Sequence, residues 1–173
     1  KQKDDFFHVN DVIRKTVNEI QWVFVGGFPL SLRDLVKSKK IEFHEWSSLV
    51  DYPNAISRLN PTLFYAPLED NNFNKAKSDL KFIEACALGI PSICQDLCTY
   101  QSAFHKFKTG DELIDKIKLL TGDHKKYAKE VKQARNYMNK RWMEDNINYY
   151  TELYSFSYGD ERRKMLNLEN GIT

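Results

Sequence analysis

Four short apolar runs constrain this chain more than any other feature: Trp22–Gly27 (WVFVGG), Ile41–Trp46 (IEFHEW), Thr62–Pro67 (TLFYAP) and Ile90–Asp96 (IPSICQD). Each has the length and β-branched or aromatic content of a buried strand. Between them lie stretches whose apolar residues recur at helical spacing. Strands that alternate with helices at these lengths predict an α/β fold, with a Rossmann-like, mostly parallel sheet and helices on both faces.

Phe6, Val9, Ile13, Val17 and Ile20 form the first helical pattern, with Asp4 and Asp5 favourable in its first turn. Gly26 and Gly27 make a tight turn after the first strand, and Pro29 and Ser31 open a short helix through Leu32, Leu35 and Val36. In the second strand Ile41, Phe43 and Glu45 alternate with Glu42, His44 and Trp46, and Tyr52, Ile56 and Leu59 share one side of the helix that follows. A weaker fifth strand is expected at Ala103–Phe107. Thr109-x-x-Glu112 is a capping box for a helix through Leu113, Ile117 and Leu120. Gly122 closes that helix and Asp123 caps the next, whose apolar face is Tyr127, Val131, Ala134 and Met138. Residues 1–141 are expected to form the Rossmann-like domain, and residues 142–173 a tyrosine-rich helix and polar tail.

The 26 basic and 24 acidic residues give a net charge of +2, so no global basic field recommends nucleic acid as a partner. Any basic function has to be local. No apolar run approaches the roughly 18 residues of a membrane helix. Lys1–Asp5 is charged and does not read as a signal peptide. The start without Met, inside a helical pattern, is expected of a piece of something larger. Cys86, Cys94 and Cys98 are an odd set that points to free thiols and a reducing compartment. Cys94, Cys98 and His105 fit no usual structural zinc spacing, so no metal is expected.

The stretch FNKAKSDLKFIEACALGIPSICQD, Phe73–Asp96, carries the chemistry. In open parallel sheets, ligands sit beyond the carboxyl ends of strands, against the amino ends of the following helices. Pro67–Lys77 is such a loop, and its helix can start after Asn74 or after Ser78. Either start puts Lys75, Lys77 and Lys81 at the helix entrance, where cations oppose the helix dipole by roughly 0.3–1 kcal/mol each when exposed. A bound phosphate reverses that sign; lysines turned into solvent do nothing. Ser78, Lys81 and Glu84 follow one flank of the helix. A buried carboxylate at Glu84 needs a partner, which Lys81 or the vicinal hydroxyls of a ribose could supply.

Asn74-x-x-Lys77-Ser78-x-x-Lys81-x-x-Glu84-Ala85-x-Ala87-x-Gly89-x-Pro91, following Ala66-Pro67-Leu68 and Phe73, resembles the signature of GT-B glycosyltransferases. It is closest in kind to the family-4-like enzymes of bacterial polysaccharide and O-antigen assembly. The resemblance runs from the Trp22 strand to the terminal helices and implies the C-terminal, donor-binding domain. It implies that Glu84 binds the ribose, that Lys77 and Ser78 meet the diphosphate, and that Lys81 sits by the phosphates or supports Glu84. Gly26 and Gly27 line the same cleft, with Asn74 and Tyr100 near the donor. The nucleotide sugar is then the substrate, with no cofactor or metal. The acceptor is a glycan or lipid-linked glycan held by an N-terminal domain, in the cytoplasm and peripheral to the inner membrane in the full-length protein. The terminal helix, with Tyr149, Tyr150, Tyr154, Phe156 and Tyr158, would be partly a docking surface for that domain.

One departure touches catalysis. Many relatives carry a second Glu eight positions before the ribose Glu, and here Ala76 stands there, with Asn74 and Asp70 as the nearby polar residues. No catalytic residue is assigned, and the anomeric outcome stays open. A non-catalytic nucleotide-sugar-binding or scaffold module is the alternative. A nucleotide-sugar epimerase ranks lower, because His8, His44, His105 and His124 show no clustering.

Overall fold

Trp22–Val25 forms β1, and Ile41–His44, β2, runs parallel beside it, with Trp22 facing Ile41 and Val25 facing His44. These are elements of a computed structural model that describes residues 9–148 and residue 151. A second parallel ladder holds β3 (Phe64–Ala66), β4 (Ser92–Gln95) and β5 (His105–Phe107) in the order β3-β4-β5. The fold is α/β and Rossmann-like, with parallel strands flanked by helices.

The parallel strands thus form two hydrogen-bonded ladders rather than one. Where the ladders approach, side chains make the contact: the Trp22 and Tyr65 rings meet edge to face at 5.3 Å. Trp22, Phe24 and Ile41 of the first ladder share one core with Ile93 and Phe107 of the second. β4 is buried at every position, as a central parallel strand covered on both faces should be.

Among the described residues the helices include α1 (Asn10–Thr16), α2 (Arg33–Lys37), α3 (Tyr52–Leu59), α4 (Asn72–Lys75), α5 (Leu80–Ala87), α6 (Gly110–Thr121) and α7 (His124–Asn139), and residues 143–148 are also helical. Val9, just before α1, and Val12 and Ile13 within it enter the core, where Leu113 and Leu120 of α6 join them. A Cβ at Gly110 would collide with Val12, so a side chain there would push α1 and α6 apart. Thr16 is buried but satisfied: its hydroxyl donates to the Val12 carbonyl (2.7 Å) and accepts from Trp22 Nε1 (3.0 Å). Arg14 forks onto both oxygens of Asp34, at 2.9 and 2.7 Å, tying α1 to α2. That hydrogen bonding holds the Asp34 carboxyl down at about 2.

The capping box forms with a shifted partner. Thr109 Oγ1 accepts the Glu112 N–H at 3.3 Å, while Glu112 reaches back to the Lys108 N–H at 2.7 Å. Thr109→Ala is expected to lower stability by about 1 kcal/mol in denaturant unfolding. Asp123 Oδ1 accepts the N–H groups of Lys125 and Lys126, at 2.8 and 3.2 Å, which starts α7. Tyr127 Oη then donates to the Thr62 carbonyl (2.9 Å), and His105 pairs with Glu130 at 2.8 Å.

The chain divides into two compact units, Lys1–Arg135 and Asn136–Thr173, with the boundary inside α7. Within the second unit, Arg141 lies 4.5 Å from the centre of the Tyr137 ring, and Asn146 donates to the Lys140 and Trp142 carbonyls. The expected helix contacts of Phe6 and the aromatic stretch Tyr149, Tyr150, Tyr154, Phe156 and Tyr158 lie outside the described residues. Among the described residues no helix is long and apolar enough to cross a membrane.

Candidate functional site

The loop after β3 becomes two helices rather than one. Asn71 caps the one-turn α4 by accepting the Asn74 N–H at 2.8 Å, and α5 begins afresh at Leu80 behind Asp79. Asn74 is turned inward. It is 2% exposed, its amide donates to the Glu69 carbonyl at 2.9 Å, and its own carbonyl accepts from Thr99 Oγ1 at 2.6 Å. The α4 turn is therefore clasped to the 3-10 turn Cys98–Tyr100 that follows β4. Tyr100, at the end of that turn, is buried at 3% exposure. Both residues shape the loop from behind.

The lysines divide among three environments. Lys75 pairs with Asp70 at 2.5 Å, a bond that raises its pKa above the ordinary lysine value. Lys77 lies in the connection between α4 and α5, its Nζ 5.0 Å from the centre of the Phe73 ring. Ser78 beside it is exposed. Lys81 sits in the first turn of α5, where the leading N–H groups have no intrahelical acceptor.

Glu84 is half-buried and already partnered. Lys81 Nζ donates to Glu84 Oε2 at 2.9 Å, and Tyr52 Oη, from α3, donates to the same oxygen at 3.3 Å. Lys81 also donates to Tyr52 Oη at 3.1 Å, which closes a triangle of three polar groups. Burial draws the Lys81 pKa down, but the bonds to Glu84 and Tyr52 and the Glu84 charge outweigh it and leave the pKa raised. The carboxylate thus needs no ligand to explain its place. The triangle engages Oε2 and leaves Oε1 for a further partner.

The Gly26 side of the site joins this triangle through aromatic rings. Trp46, just beyond β2, stacks on Tyr52 with ring centres 6.1 Å apart and planes 21° from parallel. Gly26 has φ +83°, and a Cβ there would lie 2.6 Å from Trp46 Cε3. Glycine is thus required by backbone conformation and by the indole edge. Gly27 faces open space. The far end of α5 explains the rest of the motif. The Gly89 N–H bonds the Cys86 carbonyl (3.0 Å) and the Ile90 N–H bonds the Ala85 carbonyl (2.9 Å), with Gly89 at φ +68°. This is a Schellman cap, so Gly89 serves the helix end and not the ligand.

Gly26 is thus linked to Lys81 and Glu84 only through Trp46 and Tyr52, and Lys77 and Ser78 stand at the entrance to α5. The sequence reading missed Trp46 and Tyr52 as members of the site. Tyr52 reads as one more apolar-face residue of α3, and only tertiary packing carries its hydroxyl to Glu84.

The other candidate groups are apart. His44 pairs with Glu42 at 2.6 Å and His105 with Glu130. Cys86 and Cys94 are buried and Cys98 is exposed, and burial pushes the Cys94 thiol up to about 12. Among the described residues no group of three His, Cys, Asp or Glu side chains is placed to hold a metal ion. Comparison with family models, curated proteins and solved structures finds no match to this chain.

Proposed function

We propose that this chain binds the nucleoside diphosphate of a sugar donor and serves as the donor half of a glycosyltransferase. The observation that carries the reading is Glu84, held by Lys81 and Tyr52 through Oε2 alone, on a helix entered past Lys77 and Ser78. Oε1 accepts the ribose hydroxyls, and Lys77, Ser78 and the first N–H groups of α5 receive the diphosphate. Lys81 does both jobs, fixing Glu84 and adding positive charge beside the phosphates. Gly26 and Gly27 let the chain turn closely beneath the ligand, while Asn74 and Tyr100 hold the loop in shape.

In transfer, the leaving group is the nucleoside diphosphate, and its developing charge is met by preorganised lysines and backbone donors. The acceptor, a glycan or lipid-linked glycan, sits on a second domain, as the sequence resemblance implies. Cys86, Cys94 and Cys98 form no disulfide, which suits the cytoplasmic setting proposed here.

Calorimetric titration with uridine and guanosine diphosphates tests the reading. Binding by at least one is expected, and no heat from either at millimolar concentration would sink it. Lys77→Ala is expected to weaken diphosphate binding about tenfold, or about 1.4 kcal/mol, while leaving the affinity for the parent nucleoside unchanged.

A second reading, a nucleotide-sugar-binding module without catalysis, has one observation in its favour. The loop carboxylates are engaged in the fold: Asp70 with Lys75, and Glu69 with the Asn71 amide at 2.9 Å, while Ala76 brings none. Release of diphosphate from a nucleotide sugar in the presence of acceptor separates the two readings.

A further inference from the structure

We infer that Trp46, backed by Tyr52, is the platform on which the base of the nucleotide stacks; this rests on the nucleotide reading above. Trp46 is 65% exposed, a high value for the largest apolar side chain, yet it is held on two sides. One face lies on Tyr52, and an edge of the ring lies against Gly26. An exposed indole fixed in this way costs little further entropy to use, which makes it a better stacking surface than a free one.

Tyr52 links the platform to the ribose acceptor physically. Its ring supports Trp46 while its hydroxyl bonds both Glu84 and Lys81. One tyrosine thus sets the indole at one end and the carboxylate at the other. A nucleoside has the matching arrangement: a flat heteroaromatic ring on C1′ of the sugar and vicinal hydroxyls on the adjoining carbons.

The placement agrees with the chemistry. Gly26 follows β1, Trp46 follows β2 and Tyr52 opens α3, so the assembly lies beyond the carboxyl ends of two parallel strands. Ligands gather there in open α/β sheets. Stacking is tolerant of which base is present, because every base offers a π-face. The platform therefore supplies affinity for nucleotides as a class.

The test uses the whole chain and its Trp46→Ala and Trp46→Phe variants, with circular dichroism confirming that each is folded. Uridine diphosphate, guanosine diphosphate and inorganic pyrophosphate are titrated by calorimetry and by tryptophan fluorescence. Trp46→Ala is expected to lose roughly ten- to a hundredfold in nucleoside diphosphate affinity and nothing for pyrophosphate. Trp46→Phe should keep most of the affinity but lose the nucleotide-induced quenching. Nucleotide binding that is unchanged in Trp46→Ala overturns the platform and leaves the nucleotide reading standing. Failure of the unsubstituted chain to bind either nucleotide overturns both.

Discussion

Replacing Glu84 by Ala is expected to weaken nucleoside diphosphate binding by about ten- to a hundredfold. Hydrogen bonds to a charged acceptor contribute about 1.5–3 kcal/mol, and the ribose hydroxyls would lose theirs together. The variant also frees Lys81, which is half exposed and can turn to water, so the fold should survive. Glu84→Gln keeps the shape and one acceptor oxygen but removes the charge, and should fall between the two. Calorimetry gives the affinities, and thermal unfolding of the same samples shows whether the fold is intact. Equal affinity in all three chains would place the ribose elsewhere.

The largest effect on stability is expected from Phe82→Ala. Phe82 lies on α5 between Lys81 and the Glu84 turn and is fully buried, its ring meeting Phe104 edge to face at 5.3 Å. Truncating a buried phenylalanine costs about 3–5 kcal/mol. Against a total stability of about 5–15 kcal/mol for a domain, that is a large fraction. Urea unfolding should show the midpoint lowered with an unchanged slope. Because Phe82 anchors the helix that carries Lys81 and Glu84, nucleotide binding should weaken with it, although Phe82 touches no ligand. A shift under 1 kcal/mol would mean that α5 is not seated by this ring.

Much of this was legible because the relevant signals are local. The strands at Trp22, Ile41, Phe64 and Ser92 lie inside apolar runs that the chain marks with glycine, proline or charge. The Thr109 and Asp123 caps depend on residues two to three positions away, and both form. The Lys81–Glu84 pair was also readable, since three residues along a helix brings two side chains to one flank.

What escaped depends on contacts far apart in sequence. The division of the parallel strands into two ladders is a matter of pairing, and periodicity records only which segments are strands. Asn74 and Tyr100 look like surface groups in a ligand loop, and their burial follows from the Thr99 bond that draws two loops together. Tyr52 stands thirty-two positions from Glu84, so no local rule could connect them. The same limit hid Trp46, whose ring meets Tyr52 of α3 on one side and Gly26, from the turn after β1, on another.

The central claim is that Glu84 reads the ribose of a nucleoside diphosphate. A four-part calorimetric cycle tests it most directly. The unsubstituted chain and Glu84→Ala are each titrated with a ribonucleoside diphosphate and with its 2′,3′-dideoxy analogue. Removing the hydroxyls should weaken binding to the unsubstituted chain about as much as removing the carboxylate does, and should cost the Glu84→Ala chain nothing more. Independent, additive losses from the two changes would contradict the claim.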